Sequence, residues 1–241
     1  MINDQTIDRK ISKVIIAGNE KEKEKHISSG KLSAGMLGQP LQWQILKTIG
    51  VPQKELDEYV LRKFQRGKDV EEWLLGYMDG IVDKQKFVEY KNTIGYIDAI
   101  VDMKDYEFKV GVIPHEIKSV SNAKFRRIVK VDGADHQHLL QATLYAMATK
   151  SEKFAIDYVS TDDYRIKTYI YDTKDYSDEV EKEIKEFYDC LKAKRIPTFE
   201  PKLAWQSKPD YNNYPDFMKL NEQEILNKIK SEYLEVWKGL K

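Results

Sequence analysis

The spacing of apolar and polar positions changes period several times along the chain. From residue 86 to residue 118 it runs at two, and KFVEYKN (86–92), GYIDAIVD (95–102) and FKVGVIPHEIK (108–118) read as half-buried strands. MKDY (103–106) reads as the hairpin turn between the last two. Upstream the period is helical. VPQKELDEYVLRKFQ (51–65) carries an apolar stripe of Tyr59, Val60 and Phe64, with Pro52 suited to its first turn. A second helix, KDVEEWLLGYMDG (68–80), follows Gly67, and the stretch from Ser28 to Gly50 offers short helical pieces broken by Gly35, Gly38 and Pro40. Downstream come a helix over 135–150, strands FAIDYVS (154–160) and IKTYIYD (166–172), and a charged amphipathic helix over 178–194. Helices, a strand cluster, a helix, more strands and a last helix predict an α/β fold, a mixed β-sheet flanked by helices.

Composition narrows this picture. With 241 residues and 41% hydrophobic content, the chain can bury a substantial core as one domain over 1–241. Within it we expect an N-terminal helical part (28–80), a core (85–175), and C-terminal helices with a tail (176–241). The charged run NEKEKEKH (19–26) suits a solvated turn or helix rather than a linker. No apolar run approaches the roughly 20 residues of a membrane span, and KVIIAG is too short for a signal-peptide core. A single cysteine, Cys190, rules out an internal disulfide framework and any cysteine-built cluster. A reducing, cytoplasmic location is expected, the host cytoplasm for a viral chain. The formal net charge is zero, so affinity for nucleic acid must come from a local basic patch.

The candidate chemistry sits in HEIKS (115–119). Residues two apart on a strand share a face about 6.6 Å apart, so Glu116 and Lys118 point together and Ile117 points away. A solvated strand end shows the same charges, so their neighbours decide. Asp98, on the preceding strand, can meet Glu116 and Lys118 at one end of the sheet. Two carboxylates and a backbone carbonyl, that of Ile117, suit a hard cation such as Mg²⁺, with Mn²⁺ as a substitute. Lys118 would orient or activate an attacking water and stabilise charge on a phosphate. Upstream, Glu71 lies four residues after Gly67 on a helix. Downstream, Gln137, Gln141 and Tyr145 recur at four-residue intervals along one helical face, apart from the apolar stripe of Leu140, Leu144 and Met147.

Taken in order, these motifs resemble the RecB-type, lambda-exonuclease-like branch of the PD-(D/E)XK nucleases, which includes the CRISPR-associated adaptation nucleases. Gly95-Tyr96-Ile97-Asp98 matches GxxD, Glu116-Ile117-Lys118 matches (D/E)xK, and Gln141 to Tyr145 matches QxxxY. Gly67 to Glu71 is similar to the GxxxE opening of the lambda-type enzymes, with Glu72 as an alternative one residue on. Ser119 stands where the family often has Thr or Ser, and SSGKLSAGMLGQPLQW (28–43) more loosely resembles its N-terminal helix. The resemblance implies a restriction-endonuclease-like core and metal-dependent DNA cleavage. The expected enzyme is an exonuclease processing ends in recombination, replication or repair. The alternatives are a non-catalytic nucleic-acid-binding or assembly protein and an RNA endonuclease. It implies metal ligands at Glu71, Asp98, Glu116 and the Ile117 carbonyl, and catalytic roles for Lys118, Gln141 and Tyr145. Cys190 alone cannot hold the adaptation nucleases' iron–sulfur cluster, and Glu71 replaces their frequent histidine. Both departures point to a phage-like enzyme without that cluster. The resemblance implies a single-strand-annealing or recombination protein as a further partner; lambda-type relatives can form rings, of which this sequence carries no independent sign, and the oligomeric state stays open.

SNAKFRRIVKVDG (121–133) reads as a basic loop, with Lys124, Arg126 and Arg127 tracking a DNA backbone alongside Gln137, or else as a solvated hairpin. Asp102 is either an outer ligand or a turn former, the latter favoured by ordinary turn chemistry. His115, His136 and His138 lack zinc-site spacing, although His136 would be able to touch a phosphate. The irregular stretch 195–220 carries Trp205, Tyr211 and Tyr214, which would stack on unpaired bases or, as the favoured reading, pack the tail against the core.

Overall fold

In the computed structural model, residues 7–25 and 30–233 are described. Five strands form one sheet in chain order: β1 (Ile81–Tyr90), β2 (Thr93–Asp102), β3 (Val112–Val120), β4 (Lys153–Ser160) and β5 (Ile166–Asp172). Every neighbouring pair is antiparallel except β3 and β4, which run parallel. A parallel pair needs a crossover, and helices α4 (Asn122–Val131) and α5 (His136–Thr149) supply it. β4, between a parallel and an antiparallel neighbour, is buried along nearly its whole length, Asp157 included. β1 lies at the edge. It carries a register shift between Ile81 and Asp83 and the charges of Lys84 and Lys86, both devices that blunt a free edge.

Helix α1 (Ile7–Lys25) includes most of the charged run, with His26 outside the described residues. Helix α2 (Leu41–Thr48) and α6 (Ser177–Lys192) bury their apolar stripes in the largest core, around Trp43, Ile45, Val180, Ile184 and Phe187. The tail joins that core through Tyr214, Phe217 and helix α7 (Glu222–Glu232), and Phe199 stacks on Trp43 at 5.7 Å. The tail therefore packs against the core through Tyr214 and Phe217, as the favoured reading expected, while Trp205 and Tyr211 stay exposed.

Four expectations change. The two helices expected between residues 51 and 80 are one, α3 (Glu58–Tyr77), and it begins well after Pro52. Asp57 caps it by accepting from the Val60 N–H, while the chain before it is tied to the tail by the Lys54 N–H bonding the Asn213 carbonyl. Gly67 does not break this helix but lets it approach β3, where an added Cβ would stand 3.3 Å from Ser119 Oγ. The basic segment at 121–133 is neither loop nor hairpin but α4, capped by Ser121, with Phe125 and Ile128 buried one turn apart. The hairpin at MKDY is a longer connection. Lys109 and Gly111 take positive φ, so extended backbone resumes only at Val112. Lastly, β1 begins at Ile81, five residues before the expected strand.

Candidate active site

The β2–β3 ladder pairs Ala99 with His115 and continues to Asp102 with Val112. Just past its last pair, Asp98 and Glu116 face each other. There the Asp98 carboxylate takes over from the ladder, with Oδ2 accepting from the Ile117 N–H at 2.7 Å. Glu116 is 2% exposed. One of its oxygens pairs with the Lys118 ammonium, and the other, Oε2, has no hydrogen-bond partner. A buried acceptor left unpaired costs roughly 1–3 kcal/mol, so its retention points to a ligand for that atom.

Lys118 is held from the other side by α5. Its Nζ donates to Gln141 Oε1 at 3.2 Å, and Gln141 Nε2 donates to the Tyr145 hydroxyl at 3.0 Å. The four-residue period of α5 thus builds a relay from Tyr145 through Gln141 to Lys118. Gly95 makes room for it. A Cβ there would come within 2.6 Å of Tyr145 Cε1 and 2.9 Å of the Ala34 Cβ. The glycine of GxxD and the tyrosine of QxxxY are therefore in contact across the core.

Glu71 comes in from α3. Its neighbour Glu72 is exposed, while Glu71 is drawn into the electrostatics of Asp98 and Lys118. Burial, reinforced by repulsion from Asp98, pushes the Glu71 carboxyl up to about 7. Burial also pushes Glu116 up to about 8, against the pull of Lys118, and raises Asp98 above the usual carboxylate range. Burial alone would lower the Lys118 ammonium, but Glu116, Asp98 and Glu71 outweigh it and raise it. Three carboxylates around one cation leave a surplus of negative charge, which a divalent cation would neutralise.

Gln85 belongs to this cluster and was not anticipated from sequence. It falls opposite Asp98 in the β1–β2 register, between the pairs Lys84–Ala99 and Lys86–Ile97. Its φ is +49°, a conformation uncommon outside glycine, and its Nε2 donates to Glu71 Oε1. Only a known register would single it out from the DKQK run. An open groove of about 730 Å³ passes this point, lined by Lys68, Glu71, Glu72, Lys84 and Gln85.

Other candidates lie elsewhere. Lys124 and Arg127 both pair with Asp135, at 2.6 and 2.7 Å, while Arg126 is exposed on α4. Gln137 Nε2 donates to the Gly35 carbonyl and so ties α5 to the N-terminal segment. Lys124, Arg127, His136, Gln137, Lys202 and Trp205 line a groove of about 1080 Å³. The three histidines are not brought together. His115 bonds Asp157, His136 bonds Glu179, and His138 bonds Tyr158. Asp102 accepts from the Lys104 N–H and forms a turn. Trp205 and Tyr211 are exposed, but Tyr214, 2% exposed, cannot stack on a base.

Among the described residues, no group of three or more His, Cys, Asp or Glu side chains is placed to hold a metal ion. Mg²⁺ does not need one. It binds through one or two carboxylates and keeps waters or substrate oxygens in its other positions. Asp98 and the unpartnered Glu116 Oε2, two hard oxygen donors, fit that requirement, and Glu71 adds negative charge from α3.

No protein-family model matches the chain, and no curated protein matches it by sequence. Solved structures do match in fold. An alkaline exonuclease from Laribacter hongkongensis is 14% identical, with a TM-score of 0.50, over 69% of this chain and 90% of its own. Its complex with dAMP gives a TM-score of 0.51 at 14% identity, over 68% and 89%. The structure of SSO0001 is 15% identical, with a TM-score of 0.52, over 88% of this chain and 95% of its own. At such identities the likeness is one of fold: a five-stranded mixed sheet flanked by helices.

Proposed function

We propose that the chain is a metal-dependent deoxyribonuclease acting on DNA ends. One observation carries this reading: a buried glutamate, Glu116, is held by Lys118 with one oxygen unpartnered, opposite Asp98 and beside Glu71. The likeness in fold to an alkaline exonuclease supports it and favours end-directed cleavage. Glu71, Asp98, Glu116 and the Ile117 carbonyl would hold Mg²⁺ or Mn²⁺. The ion, when bound, supplies Lewis acidity toward a phosphate oxygen and a water of lowered pKa. The Lys118 ammonium, held by Glu116 and Gln141, would place a fixed positive charge where the attacked phosphate gains negative charge. Gln141 and Tyr145 position that ammonium, so its cost of ordering is met before substrate arrives.

The test is digestion of end-labelled linear duplex, single-stranded and closed circular DNA, and of matched RNA, each with Mg²⁺ or EDTA. Loss of linear DNA in Mg²⁺, with circles spared and EDTA protective, is expected. Cleavage of RNA alone, or of no substrate in Mg²⁺ or Mn²⁺, overturns the proposal.

A further inference from the structure

We propose a second site, on the opposite face of β3 from Glu116, that binds an uncharged planar aromatic molecule bearing one N–H or O–H donor. Strand alternation turns His115 away from Glu116 toward the α3 side of the sheet. On that side Asp157 of β4 lies beside Thr168 of β5 in register. The three side chains form a directed chain. Thr168 Oγ1 donates to Asp157 Oδ1 at 2.5 Å, and His115 Nδ1–H donates to Asp157 Oδ2 at 2.7 Å. Both carboxylate oxygens are thereby used, and the chain ends at His115 Nε2, which has no partner. His115 and Asp157 are each 2% exposed, so bulk water does not satisfy that end.

Above this floor lies a cavity of about 250 Å³. Its walls are Trp73 and Tyr77 from α3, Met78 just past the end of that helix, and Met103, Tyr106 and Phe108 from the β2–β3 connection. An apolar cavity of about 150 Å³ takes up benzene, and drug-sized ligands need roughly 300–1,000 Å³, so this one suits a single mono- or bicyclic ring. No Lys or Arg lines it, and the Asp157 carboxylate stands at its base, which disfavours anions such as a nucleotide phosphate. A carboxylate only accepts, so Nδ1–H faces Asp157 and Nε2 is the ring atom left at the cavity for a ligand N–H or O–H to complete the chain. Tyr77 and Phe108, 76% and 47% exposed, stand at the cavity as open apolar surface. This site is independent of the cleavage reading, since none of its residues is assigned to cleavage.

The experiment is calorimetric titration of the full chain with indole, 1-methylindole and quinoline, repeated while recording ¹⁵N-imidazole resonances. Indole should bind one-to-one and move the His115 Nε2 resonance. 1-Methylindole, which has the shape without the donor, should bind roughly tenfold more weakly, the loss of about one hydrogen bond. Met78→Trp, which fills the cavity, should abolish indole binding. The ligand comparison stands alone if that variant fails to fold. Equal affinity for indole and 1-methylindole, a preference for quinoline, or no saturable binding at millimolar indole would overturn the proposal and leave a cavity that holds water only.

Discussion

Replacing Gly95 by alanine adds one methyl group where the core leaves no room for it. That methyl would stand 2.6 Å from Tyr145 Cε1 and 2.9 Å from the Ala34 Cβ. Neither neighbour can yield cheaply, because Tyr145 is 3% exposed and Ala34 fully buried. Overpacking of this kind costs about 1–3 kcal/mol. In a domain of this size each kcal/mol lowers the melting temperature by about 2–4 °C, so Gly95→Ala should melt roughly 2–12 °C below the parent. The damage should also reach the chemistry, because the displaced ring anchors Gln141 and, through it, Lys118. Tyr145→Phe keeps Cε1 and cannot relieve the clash, whereas Ala34→Gly removes one of its two sides. The assay is denaturant unfolding of the parent, Gly95→Ala, and the double variant with Ala34→Gly, together with their cleavage rates. The double variant should regain part of the lost stability. A Gly95→Ala protein that unfolds at the parent midpoint and cuts at the parent rate would refute the close approach of Gly95 to Tyr145 as a constraint.

Three further outcomes follow from the same geometry. Lys118→Met should leave binding of DNA and Mg²⁺ intact while single-turnover cleavage falls by roughly 10²-fold or more, and Lys118→Arg should rescue it only in part; wild-type speed in Lys118→Met would make the ammonium ornamental. Raised carboxyl pKa values mean that the folded, metal-free chain binds more protons than the unfolded one, so stability present below about pH 4.5 is lost as pH rises toward about 8. Asp98→Asn, which keeps an acceptor for the Ile117 N–H, should therefore stabilise the metal-free protein more at pH 9 than at pH 5, and equal gains at both pH values in chemical denaturation would contradict the shifts. Arg126→Ala with Arg127→Ala should weaken DNA binding broadly and flatten its salt dependence by about one log–log unit for each phosphate no longer neutralised, and an unchanged slope would return α4 to a solvated helix.

Much of this arrangement is legible in the sequence because it rests on local periods. The two-residue strand period aligns Glu116 with Lys118, and the four-residue helical period aligns Gln137, Gln141 and Tyr145. The mixed sheet is legible too, since the helix expected over 135–150, between the third and fourth strands, suits a crossover. What stayed hidden depends on pairing or on single backbone dihedrals. Gln85 matters only because β1 pairs with β2 in a register that sets it opposite Asp98. The connection after β2 outruns MKDY because Lys109 and Gly111 turn left-handed. Helix α4 shows only Phe125 and Ile128 as buried apolar positions among basic residues, too thin a stripe to stand out from a charged loop. The late start of α3 reflects a cap at Asp57 that competes with the better-known signal of Pro52.

The central claim is that Asp98, Glu116 and Lys118 cut DNA together with a divalent ion. Single-turnover digestion of end-labelled linear duplex in Mg²⁺, with enzyme saturating, tests it directly by comparing the parent with Asp98→Ala and Glu116→Ala. Rates should drop by several orders of magnitude in both variants, as expected when a metal ligand is removed, while both remain folded. Retention of more than about a tenth of the parent rate by either one would contradict the account.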